Sequence, residues 1–258
     1  MKFTMLGSGT SSGVPRVGTG WGDCDPLEPR NRRRRVSAIV ACGGHSALID
    51  TSPDLREQLL DAEVSHLDAV LFTHDHADHS HGIDDLRPLV QAMGGDPINC
   101  YADPQTLSTL LKRFHYIFHG AGGYPPIAQL LPLEKRFALG PMMVQSFTQI
   151  HGERLSMGFR FDQGGRALAY STDINGLTQE CEACLHGLDL WVVDALRIAP
   201  HPTHTHLALT LDWIARFKPK LAVLTHMDVS MDYQSLLRDL PEGVIPGYDG
   251  LVIDVSDI

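Results

Sequence analysis

The feature that most constrains this chain is a series of short apolar runs, each bounded by glycine, proline, aspartate or asparagine. Runs of this length between turn residues favour β-strands, because a helix needs a longer amphipathic stretch. The predicted strands cover residues 2–6, 37–42, 46–50, 69–72, 98–102, 142–148, 156–161, 167–171, 190–194, 221–225 and 251–255.

Segments with apolar residues at i, i+3 and i+4 lie between these strands and predict helices. They cover residues 53–63, 83–92, 104–114, 207–217 and 232–240. The strands occur in pairs and triples and alternate with helices only in part, which predicts a layered α/β (α+β) fold with mixed sheets. No repeat, low-complexity tract or linker divides the chain, so we expect a single domain over residues 1–258.

Composition narrows the classes of function. The longest apolar stretches fall far short of the roughly 18–20 residues that cross a bilayer, and the first residues lack the apolar core of a signal peptide. The formal net charge of −10 disfavours a stable complex with nucleic acid, which is held mainly by many Lys and Arg side chains. Five cysteines, an odd number, indicate reduced thiols, and we expect a cytoplasmic protein with no membrane contact. Cys181 and Cys184 lie in a helical stretch and are interpreted as structural.

Fourteen histidines are the unusual feature of the composition. Four candidate ligands, His74, His76, Asp78 and His79, follow directly after the predicted strand 69–72. Imidazole nitrogens and carboxylate oxygens suit Zn²⁺, Mn²⁺ or iron, and the lack of cysteine there disfavours a purely structural zinc site.

Three further candidates occupy the same kind of position. His151 follows the run 142–148, Asp173 follows the run 167–171, and His226 follows the run 221–225. Loops at strand ends are where rigid scaffolds present functional groups. The seven residues together therefore predict a metal centre.

The His-x-His-x-Asp-His run, followed by a spaced His, Asp and His, resembles the metallo-β-lactamase superfamily. The resemblance extends over nearly the whole chain, from the Gly7-Ser8-Gly9-Thr10 segment to the closing Gly247-Tyr248-Asp249-Gly250. It implies an αβ/βα sandwich, in which two mixed sheets lie face to face with helices outside.

The resemblance also implies roles for individual residues. The first of two divalent ions, Zn²⁺ or alternatively Mn²⁺, would be bound by His74, His76 and His151, and the second by Asp78, His79 and His226. Asp173 would bridge both, and Asp50 would orient a ligand histidine. A hydroxide between the metals would be the nucleophile, with Asp78 counted among the catalytic residues.

The substrate is predicted from other positions. Asp173 stands where some β-lactam hydrolases of the superfamily have cysteine, and a bridging carboxylate suits the phosphodiesterase and thioesterase branches better. His204 precedes a predicted helix, as in phosphoribosyl cyclic phosphodiesterases and tRNase Z, where a histidine faces the leaving group. His204 is therefore the predicted general acid, with His201 and His206 as rivals.

A basic run over residues 30–35 precedes the predicted strand 37–42. Because guanidinium groups bind phosphate oxygens in a fork, Arg34 and Arg35 are predicted substrate contacts, and His206 is placed with them. The phosphoribosyl cyclic phosphodiesterases carry a cysteine-rich zinc site after a Trp-Gly pair, but only Cys24 follows Trp21-Gly22 here. We therefore expect that zinc site to be absent.

These features predict hydrolysis of a small phosphodiester, a cyclic phosphate or nucleotide-like ester, by a dinuclear metal centre. The alternatives are a glyoxalase II-like thioesterase, a tRNase Z-like nuclease and a non-hydrolytic di-iron redox or sensor protein. A homodimer stays open as an oligomeric state. The aromatic segment 114–119 is interpreted as core, with a substrate-facing flap as the alternative.

Overall fold

Two mixed β-sheets lie face to face, and helices cover their outer surfaces. The computed structural model describes all residues, Met1–Ile258. This arrangement is an αβ/βα sandwich, so the predicted layered α/β fold with mixed sheets is confirmed.

The first sheet has seven strands in the order β15-β1-β2-β3-β4-β5-β6. Neighbours from β15 to β3 pair antiparallel, and neighbours from β3 to β6 pair parallel. Its strands are β1 (Lys2–Gly7), β2 (Ser37–Cys42), β3 (His45–Ile49), β4 (Ala69–Leu71), β5 (Ile98–Ala102), β6 (Ala128–Pro132) and β15 (Val252–Asp254).

The second sheet has eight strands, seven of them in the order β11-β8-β9-β10-β12-β13-β14, with β7 paired to β8. Its last three pairings are parallel and the others are antiparallel. Its strands are β7 (Arg136–Leu139), β8 (Met142–His151), β9 (Arg154–Gln163), β10 (Arg166–Ser171), β11 (Gly176–Leu177), β12 (Leu190–Asp194), β13 (Leu221–Thr225) and β14 (Val244–Pro246).

Eight α-helices complete the fold. They are α1 (Leu55–Asp61), α2 (Ala77–Ser80), α3 (Leu86–Ala92), α4 (Pro104–Arg113), α5 (His115–His119), α6 (Gln179–Cys184), α7 (Leu207–Phe217) and α8 (Tyr233–Asp239). Three helices have a side-chain N-cap. Asp103, Thr178 and Asp232 accept hydrogen bonds from backbone N–H groups in the first turn of α4, α6 and α8, respectively.

Three apolar clusters hold the layers together. The central cluster joins both sheets and includes residues from each end of the chain, Phe3 and Val255. A second cluster packs the first sheet against its helices, and a third packs the other sheet against α6, α7 and α8. The alternation of inward and outward apolar residues along each strand therefore decides which layer a side chain joins.

The sequence predicted most strands and longer helices within a few residues. It missed β6, β7, β11 and β14, which are short or rich in polar and exposed residues. It also missed α2 and α5, whose four and five residues are too short to show a helical period. No helix combines the length and apolar character needed to cross a bilayer.

The topology brings the ends of several strands to one edge of the sandwich. Strands β3, β4, β10, β12 and β13 all run toward this edge, and polar residues follow or end each of them. Because parallel neighbours end at the same side of a sheet, residues far apart in sequence become neighbours there.

Asp189 offers a test of how the second sheet is anchored. Its carboxylate accepts hydrogen bonds from the Ala167 backbone N–H and from Arg166, and lies 2.9 Å from Lys220 Nζ. Burial raises the pKa of this carboxyl, but Lys220, Ala167 and Arg166 together lower it to about 2.

Since the folded-state pKa lies below the unfolded value of about 3.9, Asp189 stabilises the fold above pH 4 and loses this effect as the pH falls toward 2. We expect Asp189→Asn to lower the free energy of unfolding by about 1–2 kcal/mol at pH 7, and by roughly half as much at pH 3. Urea unfolding of both proteins at the two pH values measures this, with the exposed Glu242→Gln as control. An effect of equal size at both pH values would contradict the assignment.

Candidate metal centre

The seven predicted ligands lie together at the edge where the strands end. His74 and His76 follow β4, and Asp78 and His79 lie in the single turn of α2. His151 is the last residue of β8, while Asp173 and His226 follow β10 and β13.

Asp173 stands at the centre of this cluster. Its Oδ2 lies 3.6 Å from Nε2 of His74 and 3.6 Å from Nε2 of His151. Its Oδ1 lies 3.1 Å from Nε2 of His79 and 3.4 Å from Nε2 of His226. One carboxylate thus faces two pairs of histidines, one pair with each oxygen.

The remaining two residues complete the two halves. The imidazole of His76 joins His74, His151 and Asp173 in one compact group of potential ligand atoms. On the other side, Asp78 Oδ2 lies 3.3 Å from His79 Nε2 and 3.6 Å from His226 Nε2. The two halves contain the residues of the two ligand sets that the resemblance implies, and their role as ligands stays a prediction.

The chemistry of the donors fits divalent cations. Nε2 of His74, His79 and His226 is buried and has no hydrogen-bond partner. Orphaned buried nitrogens are costly unless something occupies the space between them. In a tetrahedral zinc site with bonds of about 2.1 Å, neighbouring donors are about 3.4 Å apart, which is close to the separations around Asp173.

Hydrogen bonds on the far side of the rings orient these nitrogens. Asp50 Oδ2 lies 2.7 Å from His79 Nδ1, and both oxygens of Asp50 also accept hydrogen bonds from Thr73. The carbonyl of Thr203 accepts a hydrogen bond of 2.7 Å from His151 Nδ1. Such contacts fix the tautomer and direct Nε2 inward, as in known metal sites.

The pKa values of the histidines shift in opposite directions in the two halves of the cluster. Burial lowers the pKa of His74 and of His151. Burial also acts to lower the pKa of His226, but Asp173 and Asp78 raise it to about 9. Burial raises the pKa of Asp173, yet the surrounding histidines, His226 first, hold it well below its usual value.

Three residues at this edge have a backbone conformation that non-glycine residues seldom adopt. Asp50, Asp173 and His226 have φ values of 60°, 50° and 59°. Asp50 and His226 directly follow β3 and β13, and Asp173 lies two residues after β10, so the left-handed turns direct these side chains toward the cluster. Such a strained conformation persists only where the surrounding structure stabilises it, and residues of this kind concentrate at functional sites.

His204 lies beside the cluster, on the loop before α7. Its Nε2 is 3.7 Å from Asp173 Oδ2, and its ring stacks on His226 with centroids 4.8 Å apart. Its Nδ1 lies 2.9 Å from Oδ2 of Asp194, the last residue of β12. His201 packs edge-on against His204, whereas His206 forms the start of α7 and does not line the cavity.

A cavity of about 830 Å³ opens in front of the cluster. Its wall includes His76, Asp78, His151, Asp173, His204 and His226, together with further polar residues, namely Ser11, Glu153, Arg154, Asn175 and Thr203. Apart from Ala77, Gly152 and Pro202 the lining is polar. The cavity therefore suits a polar ligand of modest size.

The predicted substrate contacts Arg34 and Arg35 lie in a different cleft. Arg34 pairs with Asp61 and Asp249, and Arg35 pairs with Asp54. Neither residue lines the cavity at the metal centre, and their carboxylate partners already occupy their guanidinium groups. Their assignment to substrate binding, like that of His206, stays a prediction.

Other segments interpreted from sequence lie away from the cavity. Phe114 packs edge-on against His81, and segment 114–119 does not line the cavity. Cys181 and Cys184 are buried free thiols in α6. Cys24, the single cysteine after Trp21-Gly22, is buried against the guanidinium of Arg33.

Three residues that shape the site are absent from the sequence predictions. Asp194 is the last residue of the predicted strand 190–194. An aspartate at the end of a strand was the signal that identified Asp173, and the same signal could have identified Asp194. Thr203 acts through its backbone carbonyl, which leaves no mark in a sequence. Arg154 starts β9, and only the fold brings its guanidinium within 3.8 Å of Asp75, between His74 and His76.

Comparison with known proteins agrees with this geometry. The family model described as the β-lactamase superfamily domain matches residues 45–227. The chain belongs to the metallo-β-lactamase superfamily. A solved structure described as a new diphosphatase from the PhnP family has a TM-score of 0.89 and 35% identity, over 98% of this chain and 97% of that one. This similarity supports the PhnP-like branch of the superfamily.

Two curated relatives extend the comparison. An octanoyltransferase of Porphyromonas gingivalis (strain ATCC BAA-308 / W83) is 33% identical over 100% of this chain and 53% of that protein. A ribonuclease Z of Bradyrhizobium sp. (strain ORS 278) is 28% identical over 62% of this chain and 50% of that protein. The chain thus spans about half the length of these relatives.

Asp50 provides a test of the orienting contacts. We expect Asp50→Asn to weaken binding of a divalent cation by about 10- to 100-fold, because the variant loses the charge that holds His79. Competition with a chromophoric zinc chelator measures the affinity. The matched control is Asp68→Asn, since Asp68 contacts His45 and His66 away from the cluster. Equal zinc affinity in wild type and Asp50→Asn would rule out this role.

Proposed function

We propose that this protein is a metal-dependent phosphodiesterase that hydrolyses a small phosphodiester in the cytoplasm. The observation that carries the proposal is His204, which faces the cavity next to Asp173 and is held from behind by Asp194. A phosphodiester with an alkoxide leaving group needs a proton donor at such a place. The 35% identity to a PhnP-family diphosphatase supports chemistry at phosphorus.

The proposed cofactors are two divalent ions, Zn²⁺ first and Mn²⁺ as the alternative. His74, His76 and His151 would hold one, Asp78, His79 and His226 would hold the other, and Asp173 would contact both. Bound cations of this kind supply an activated water near neutral pH and positive charge facing the phosphate. The protein's own contribution is to fix seven donors before the substrate arrives.

The proton donor in this proposal is His204. Its Nδ1 is engaged with Asp194, so the ring presents Nε2 to the cavity. When the ring is protonated, the Nε2–H can pass its proton to the departing oxygen. Stacking against His226 limits rotation of the ring, which keeps the donor atom in place.

The cavity favours a small polar substrate. Its lining has no aromatic side chain other than histidine on which a nucleobase could stack. Its polar wall also does not suit an octanoyl chain, so we do not extend the activity of the octanoyltransferase to this chain. Arg154 at the wall is half-exposed and offers a positive charge to a substrate phosphate.

A nuclease is the second candidate, and the similarity to a ribonuclease Z favours it. The net charge of −10 opposes it, because binding a long RNA requires neutralisation of many phosphates. Turnover of a ribo-oligonucleotide, compared with that of a cyclic phosphodiester, separates the two candidates.

His204→Ala tests the proton donor. We expect its kcat to fall by roughly 10²- to 10⁴-fold on a phosphodiester with an alkyl leaving group, because that leaving group needs a proton. On bis(p-nitrophenyl) phosphate the loss should be much smaller, since p-nitrophenolate leaves without one. The same variants of His201 and His206 are compared, and exposed His186→Ala is the control. Equal losses on both substrates would exclude His204 as the donor.

A glutathione thioester distinguishes the thioesterase alternative in the same assay. The wild-type protein should turn over the phosphodiester and leave the thioester intact. Thioester turnover that survives in His204→Ala would favour a glyoxalase II-like enzyme. Iron–oxo absorption bands in the purified protein would instead favour the di-iron alternative.

Charge on the cavity wall gives a further test. Arg154→Ala is expected to raise KM by about 10-fold with little change in kcat, because a charge-assisted hydrogen bond to an anion is worth about 1.5–3 kcal/mol. Neighbouring Glu153→Gln removes a negative charge from the same wall and should lower KM. Steady-state kinetics measure both, and Arg136→Ala on β7 is the control. A KM for Arg154→Ala equal to that of wild type would refute the contact.

A further inference from the structure

Arg33 is a cation buried inside the protein without a carboxylate among its hydrogen-bond partners. Its side chain is only 2% exposed and is among the largest fully buried side chains. Its guanidinium donates to the carbonyls of Met231 and Asp228, at 2.6 and 3.3 Å, and to Asn31 Oδ1 at 3.2 Å. Placing a charge in such surroundings is costly, so the contacts it makes need an explanation.

The carbonyls that Arg33 holds belong to the turn that directly follows His226. Met231 N–H donates to Asp228 O, which closes this turn, and Asp228 N–H donates to Leu196 O. His226 itself has a φ of 59° and is followed by fully buried Met227. A strained ligand residue of this kind depends on the segment after it being fixed.

Arg33 reaches this turn across the first loop of the chain. Gly9 pairs with Arg35 on one side and with Met227 on the other. A Cβ atom added at Gly9 would lie 2.8 Å from the Cβ of Arg33, so the two segments are in close contact. The guanidinium thus links segment 33–35 to the turn 228–231 directly, in addition to the backbone pairing through Gly9.

Asn31 extends the link. Its Oδ1 accepts from Arg33 and from the Tyr233 N–H, while its Nδ2 donates to Asp232 Oδ2 at 2.7 Å. Asp232 caps the start of α8. Both ends of the segment between His226 and α8 are therefore tied to residues 31–33.

We propose that Arg33 is a positioning residue for the His226 half of the metal centre. Its planar fork holds two carbonyls and an amide oxygen at once, and thereby keeps the turn after His226 in the conformation that directs the imidazole toward Asp173 and Asp78. This inference rests on the metal centre and does not depend on which ester the protein hydrolyses. It also explains why a buried charge is retained here instead of an apolar side chain.

The test measures zinc binding to the full-length protein by chelator competition and elemental analysis. Arg33→Met is expected to weaken one of the two bound zinc ions, the one at the His226 half, by at least about 10-fold and to leave the other unchanged. Arg33→Lys, which keeps the charge but not the fork, should give a smaller effect. The matched control is Arg32→Met, because exposed Arg32 stacks on Trp21 and makes none of these contacts. Ile98→Ala at the far end of β5 controls for general destabilisation.

A double-mutant cycle separates positioning from general stability. In a His226→Ala background, Arg33→Met should cause no further loss of zinc, whereas in a His151→Ala background it should still weaken the remaining site. Equal losses in both backgrounds, wild-type zinc affinity in Arg33→Met, or failure of Arg33→Lys to fold would each overturn the inference. Zinc binding without phosphodiester turnover in the wild type would remove the proposed function and leave this test intact.

Discussion

The whole site depends on one carboxylate surrounded by imidazoles. Asp173 is buried, and its two oxygens face two different pairs of histidine nitrogens between 3.1 and 3.6 Å away. An arrangement of this kind would be unfavourable if the nitrogens stayed unpaired, since several of them have no other partner. Divalent cations held by these donors would remove that cost. The fold therefore makes sense as a scaffold for metal ions.

The surrounding structure orients the donors in a consistent way. Asp50 holds His79, the Thr203 carbonyl holds His151, and Asp194 holds His204. Each contact uses the nitrogen that faces away from the cluster, which leaves Nε2 directed inward. The loop before α7 contributes twice, because Thr203 orients His151 and His204 faces the cavity. A change in this loop would thus affect both His151 and the proposed proton donor.

Membership of the metallo-β-lactamase superfamily sets the class of chemistry, while the cavity is the basis for the proposed substrate. Polar walls and a half-exposed Arg154 favour a small anionic ester over a lipid-like or base-stacked one. The basic run, which had suggested phosphate binding, lies in its own cleft, where Arg34 and Arg35 pair with aspartates and Arg33 is buried.

The class of fold, and the set of residues that gather at the candidate metal centre, follow from the sequence alone. Strand-length apolar runs and the His-x-His-x-Asp-His segment are local patterns, and local patterns are directly readable. The tertiary structure decided what depends on distance between remote segments: that Asp194 stands behind His204, that the Thr203 backbone supports His151, and that Arg33 holds the turn after His226. Short elements such as α2 and α5 also needed the folded chain, since their few residues carry no periodic signal. The contacts of Asp194, Thr203 and Arg33 join residues ten or more positions apart or act through backbone atoms, so no spacing or composition could reveal them.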